Sequence, residues 1–118
     1  MEKIDERTYK FASRIIKLVN ALPKNKVGDV LGRQVLRAGT SIGANVEEAY
    51  AGSSKRDFTN KLAIALKEAR ETHFWLRLIR DSGLVPMNQI APLIQESLEI
   101  KLILGKSVAT SKKSQGNE

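Results

Sequence analysis

The sequence predicts an all-α protein, an up-down-up-down antiparallel four-helix bundle, on three observations. Four stretches carry apolar residues at helical spacing, and short loops containing Pro, Gly or Ser separate them; helices joined so tightly pack antiparallel. At 118 residues the chain can bury one core but not two. Only 5% of the residues are aromatic, so the interior must be aliphatic and helical. The expected organisation is a bundle over residues 1–110 and a polar tail over 111–118.

The first helix should run from about Asp5 to Leu22. Phe11, Ile15, Leu18 and Leu22 recur at spacings of four, three and four, which places them on one face, and Ala12, Ile16 and Val19 widen the stripe. Pro23 stops the helix, because the residue before a proline is pushed out of the α region. The second helix should cover about Val27 to Ala51, with Leu31, Val35, Ala38, Ile42 and Ala49 along its seam. It carries Gly28, Gly32, Gly39 and Gly43, each costing on the order of 1 kcal/mol relative to alanine. Close approach of a neighbouring backbone is the first explanation, and a kink or 3₁₀ start near Gly28 to Gly32 is the alternative.

Ser53 or Ser54 can cap the third helix by accepting from a free backbone N–H. Phe58, Leu62, Ala65, Ala69, Thr72, Leu76 and Ile79 then alternate spacings of four and three, a coiled-coil-like pattern. Gly83 stands where a left-handed C-terminal cap is expected. The fourth helix should start around Met87 to Pro92 and end near Val108. Pro92 is tolerable there only in the first turn. Ile100, Leu102, Ile103 and Leu104 point in several directions, more than one bundle interior absorbs, so part of that surface should face another subunit. The tail from Thr110 to Glu118 reads as polar and mobile.

Composition narrows the function. The absence of cysteine removes thiolate chemistry and disulfides and fits a reducing compartment. No segment is apolar enough to span a bilayer, and Met1-Glu2-Lys3-Ile4-Asp5-Glu6 lacks the character of a signal peptide, so the chain reads as cytoplasmic with no membrane partner. Twenty Lys and Arg against thirteen Asp and Glu leave a net charge of +7, which attracts polyanions. A solvated basic surface and an acidic protein partner are the competing readings.

No constellation for catalysis stands out. Di-metal bundles need Glu-x-x-His on two helices, and this chain has the single histidine His73. Gly39-Thr40-Ser41-Ile42-Gly43 lacks the lysine and spacing of a phosphate loop. The expectation is therefore a non-enzyme with no catalytic, cofactor or metal residue.

Polar residues are more telling. Arg37, Ser41, Asn45 and Glu48 form a stripe flush with the apolar seam of the second helix. If the second and third helices fold back around Ser53 and Ser54, facing residues have numbers summing to roughly 107 or 108, which sets Arg37 against Glu71. A partly buried pair of this kind fixes register more than it adds stability; ligand binding is the second reading of the stripe. Among the basic residues, Arg70, Arg77 and Arg80 share one face at spacings of seven and three, and Lys55 and Arg56 open the same helix. These five are the candidate nucleic-acid contacts.

The run Ser41-Ile42-Gly43-Ala44-Asn45-Val46-x-Glu48, then Asp57-Phe58, then Ile64-Ala65-Leu66-Lys67-Glu68-Ala69-Arg70-Glu71-Thr72-His73-Phe74-Trp75-Leu76, resembles the four-helix-bundle proteins of the 23S rRNA intervening-sequence family. The similarity covers about Arg33 to Gly83, and Arg37, Ser41, Asn45, Glu48, Phe58, Ala65 and Glu71 fall on the family pattern. Ala49 stands where many members have Gly, and Glu68 where many have serine, which suggests a subgroup. The resemblance implies a ring-like homo-oligomer of five subunits. It also extends to accessory proteins of diversity-generating retroelements, which bind nucleic acid and a reverse transcriptase. The family's older label of ribosomal protein reflects where some members are encoded and does not imply a place in the ribosome. The combined expectation is a basic, oligomeric bundle that binds RNA or DNA through phosphates, with a protein-interaction or scaffold module as the alternative.

Overall fold

In the computed structural model, which describes residues 2–116, the chain folds into four helices: α1 (Ile4–Ala21), α2 (Lys26–Tyr50), α3 (Lys55–Asp81) and α4 (Met87–Gly116). Each helix packs against its two neighbours in an α1-α2-α3-α4 ring, with α1 closing onto α4 and the diagonal pairs standing apart. This is the antiparallel up-down-up-down bundle, a rod of 51 × 21 × 21 Å.

The ends obey local chemistry. The Asn25 side chain accepts from the Gly28 amide at 2.8 Å to open α2, and the Ser54 hydroxyl accepts from Asp57 at 3.0 Å to open α3. Each satisfies a donor that has no partner within the helix. Gly83, with φ of 67°, is the left-handed residue after α3, a conformation that side chains disfavour.

The core is the set of seams. Phe11, Ile15, Leu18 and Leu22 of the α1 side, Val35, Ala38, Ile42 and Ala49 of α2, and Leu62, Ala65, Ala69, Leu76 and Ile79 of α3 are all buried. Thr8, Thr59 and Thr72 are buried among them, and each hydroxyl donates to the carbonyl four residues earlier, so burial leaves no polar atom unsatisfied. The glycines of α2 mark where α1 and its loop press close. A Cβ at Gly39 would stand 2.9 Å from the buried Ile15 side chain, one at Gly43 would stand 3.3 Å from the Thr8 carbonyl, and one at Gly28 would stand 2.1 Å from the Pro23 carbonyl oxygen. Backbone approach accounts for Gly28 and Gly43; at Gly39 and Gly32 the neighbour is a side chain, and α2 is helical throughout.

Helix α4 departs from the sequence expectation at both ends. It does not stop near Val108 but continues to Gly116, taking in most of the expected mobile tail; Asn117 and Glu118 lie outside the described residues. The reason is that the seam itself continues. Ile90, Leu93, Ser97, Ile100, Leu104, Val108 and Ser111 are buried in succession, and Ser111 shares a hydrogen bond with Thr59 of α3. Polar residues at seam positions hid the period. At the other end, Pro92 is the sixth residue of α4, past the first turn where it was expected. Its ring costs one bond, to the carbonyl of Asn88, and both residues are exposed, so water can take that carbonyl.

The α1–α4 seam carries an ion pair that the sequence pattern did not single out. Arg7 donates from Nε and Nη2 to the two carboxylate oxygens of Glu96, both at 2.7 Å, and from Nη2 to Glu99 at 2.8 Å. Gln95 also donates to Glu99 at 3.1 Å. These hydrogen bonds hold the Glu99 carboxyl below its ordinary range and raise the Arg7 guanidinium further above its own.

Candidate nucleic-acid interface

The outward face of α3 bears Lys67, Arg70, Phe74 and Arg77, all exposed, at spacings that stack them one above another on a helix. The Arg77 guanidinium sits 6.0 Å from the centre of the Phe74 ring, and its Nε lies 3.4 Å from the His73 carbonyl it donates to. Arg80, at the end of the same helix, donates to Asp81 at 2.8 and 3.4 Å. That contact lowers the Asp81 carboxyl and raises Arg80, so Arg80 presents less free charge than Arg70 or Arg77.

His73 reports on this corner of the bundle. Burial first, and then the positive charges of Lys101, Arg77 and Arg80, hold its imidazole below the ordinary value of 6.5. Lys101 comes from α4 and was not among the sequence candidates. Folding α4 back about the turn at Gly83 brings it beside α3, in a register that sets Thr59 against Ser111 and Lys55 near Ser114; His73 then faces Ser97, and the charge of Lys101 acts on it from about one turn farther along α4.

Lys55 and Arg56 do not join the group. They lie at the opposite end of α3, separated from Arg70 by roughly 21 Å of helix at 1.5 Å per residue. Lys55 donates there to Ser114 of α4 at 2.6 Å. It also lines an open, mostly apolar groove with Phe58, Ile103, Lys106 and Thr110.

The polar stripe of α2 divides into two kinds of contact. Arg37 donates to Glu71, and at 3.3 Å to Glu68, across the α2–α3 seam. Glu48 meets Lys61 at 3.1 Å across the same seam. Asn45 bonds within α2, to the carbonyl of Ser41 at 2.9 Å and its hydroxyl at 3.1 Å. Glu71 also accepts from Trp75 Nε1 at 3.2 Å, and the Trp75 ring meets Phe74 edge to face with centroids 5.1 Å apart. The stripe thus reaches, through Trp75, to the exposed face of α3. Among the described residues no three His, Asp or Glu side chains converge on a possible metal position, and no helix is long and apolar enough to cross a membrane.

Helix order, the α2–α3 seam and the motif residues above coincide with a known sequence pattern, that of the 23S rRNA-intervening sequence protein, which matches residues 3–106. The chain belongs to this family. Its fold is also that of a solved protein of unknown function from the S23 ribosomal protein family of Bacteroides thetaiotaomicron VPI-5482, with 39% identity and a TM-score of 0.83. The likeness covers 90% of this chain and 98% of the other. No curated protein matches. The match to the 23S rRNA-intervening sequence family takes in α1 and most of α4 as well as the motif-bearing α2 and α3.

Proposed function

We propose that the protein is a non-enzymatic, homo-oligomeric bundle that binds RNA or DNA through phosphate contacts at the α3–α4 face. The observation that carries this reading is the row of exposed cations Lys67, Arg70 and Arg77 on one face of α3, with Arg80 and, from α4, Lys101 adding positive charge that acts on His73. Several cations on one rigid face, in a chain of net charge +7, supply the sequence-independent term of nucleic-acid affinity. A cytoplasmic setting accords with the same reading.

Binding to mixed RNA should weaken as salt rises, with a log–log slope of about −0.7 to −0.9 per neutralised phosphate. Replacing Arg70, Arg77 and Arg80 together with glutamine should flatten the slope by about two to three units, Arg80 contributing least because of Asp81. Absence of any binding at low salt, where attraction is strongest, would remove this reading.

A second reading, a protein-interaction module, is favoured by the open groove beside Phe58 and Ile103. Self-association draws on the same surface and on Leu102, which is 63% exposed; Ile100 and Leu104 are fully buried and contribute nothing to it. The number five for a ring, and a reverse transcriptase as a further partner, rest on the family resemblance. Light scattering over a concentration range tests the assembly: a monomer at every concentration excludes it.

A further inference from the structure

We infer that Phe74 is a stacking platform for an unpaired base, so that the α3 face engages single-stranded nucleic acid through a base as well as through phosphates. This rests on the nucleic-acid reading above and adds a substrate class to it. Phe74 is 46% exposed, although its apolar ring would gain from burial. One turn away on its face stand the cations Arg70 and Arg77 on one flank, and on the other Glu71, whose charge Arg37 engages, and Leu78, 37% exposed. By the helix rise, Arg70 lies about 6 Å from it toward one end of α3 and Arg77 about 4.5 Å toward the other. A strand whose backbone crosses the two arginines therefore passes over the ring.

Two further features fit the role. The ring is braced: Trp75 packs against it edge to face at 5.1 Å, and Trp75 is itself held by its indole N–H bond to Glu71, which Arg37 fixes from α2. A platform held in this way loses little freedom on binding. The Arg77 guanidinium, 6.0 Å from the ring centre, stands farther off than the roughly 3.5–4 Å of direct carbon contact. A small outward movement would let a base lie between Phe74 and Arg77, stacked on both. A duplex keeps its bases paired and stacked and cannot use the ring, so the contact separates single strands from duplexes. Asp81, which continues the stripe one turn beyond Arg77, is already engaged by Arg80.

The test compares a 12-nucleotide oligouridylate with a 12-base-pair RNA duplex, by anisotropy at fixed low salt, for wild type, Phe74→Leu and Phe74→Tyr. Phe74→Leu should weaken the single strand by about 5- to 150-fold while leaving the duplex within about twofold and both salt slopes unchanged. Phe74→Tyr should retain single-strand affinity. The single strand should also quench the fluorescence of Trp75, the only tryptophan of the chain, and the duplex should not. Equal loss for both probes, or no loss for either, overturns the platform and leaves phosphate binding standing. A fall in assembly mass with Phe74→Leu, read by light scattering, would make the ring a contact between copies and likewise overturns it. If wild type binds neither probe at low salt, the platform and the nucleic-acid function fall together.

Discussion

Arg7 grips Glu96 with two N–H donors at 2.7 Å each, across the seam where α1 closes the bundle against α4. Both side chains are less than a quarter exposed, so the pair is neither a freely solvated surface contact nor a fully buried one. Arg7→Ala strands two carboxylates, Glu96 and Glu99, and should cost on the order of 1–3 kcal/mol, between the ranges for exposed and buried pairs. Urea unfolding should show a lower midpoint at unchanged m. Arg7→Lys should recover only part, because a lysine cannot present two parallel donors. Because Glu99 titrates lower in the folded state, its contribution is complete above the ordinary carboxyl value and is lost as pH falls through the lowered one. A change below about 0.5 kcal/mol for Arg7→Ala would place the pair with ordinary surface contacts.

Arg37 holds Glu71 from a more open position, half exposed. Arg37→Ala should therefore cost well under about 1 kcal/mol. Its visible effect is indirect: Glu71→Ala removes the acceptor of the Trp75 indole and should shift the tryptophan emission, whereas Glu48→Ala, farther along the same stripe, should not. Identical spectra for all three proteins would show that Glu71 does not hold Trp75 in solution.

The glycines separate by what surrounds them. Gly39→Ala gains about 1 kcal/mol of helix propensity but drives its methyl to 2.9 Å from the Ile15 side chain, fully buried and branched. Overpacking of this kind costs about 1–3 kcal/mol, so the variant should be destabilised or at best neutral. Gly105→Ala meets only Leu66, at 3.9 Å, and should stabilise by up to about 1 kcal/mol. Thermal melts of the two variants should move in opposite directions from wild type; a higher melting temperature for Gly39→Ala would mean that α1 yields at Ile15.

As the only histidine, His73 can be titrated by NMR without ambiguity. Its imidazole should titrate below 6.5, and Lys101→Gln should move it upward by removing one of the charges that oppose protonation. The folded state then binds fewer protons than the unfolded one between the two values. Stability is accordingly complete above about pH 6.5 and declines as pH falls through the lowered value. Added RNA should raise the titration point, since phosphate on Arg77, Arg80 and Lys101 cancels the opposing charge. An RNA complex that leaves His73 unmoved would place the binding surface elsewhere.

Taken alone, the sequence determined the helices, their order and most of the core, because these depend on the geometry of a single helix. A residue at seam position, such as Ile15 or Leu76, announces itself by spacing, and a cap such as Ser54 by the helical repeat that begins just after it. The meeting of Arg37 and Glu71 was legible too, since a short turn fixes the register of the helices it joins. Other features depended on the rotation and tilt of one helix against another, which no periodicity encodes. Arg7 reaches Glu96 and Glu99 across a seam whose two helices are distant in sequence. The charge of Lys101 acts on His73 because α4 turns that face toward α3. Ser111 prolongs the α4 seam because Thr59 offers a hydroxyl to pair with it. The basic candidates divide by helix rise alone, with Arg70, Arg77 and Arg80 in the second half of α3 and Lys55 and Arg56 at its start. Charge composition is fixed by the chain, but the field it produces is set by which faces the packing leaves outward.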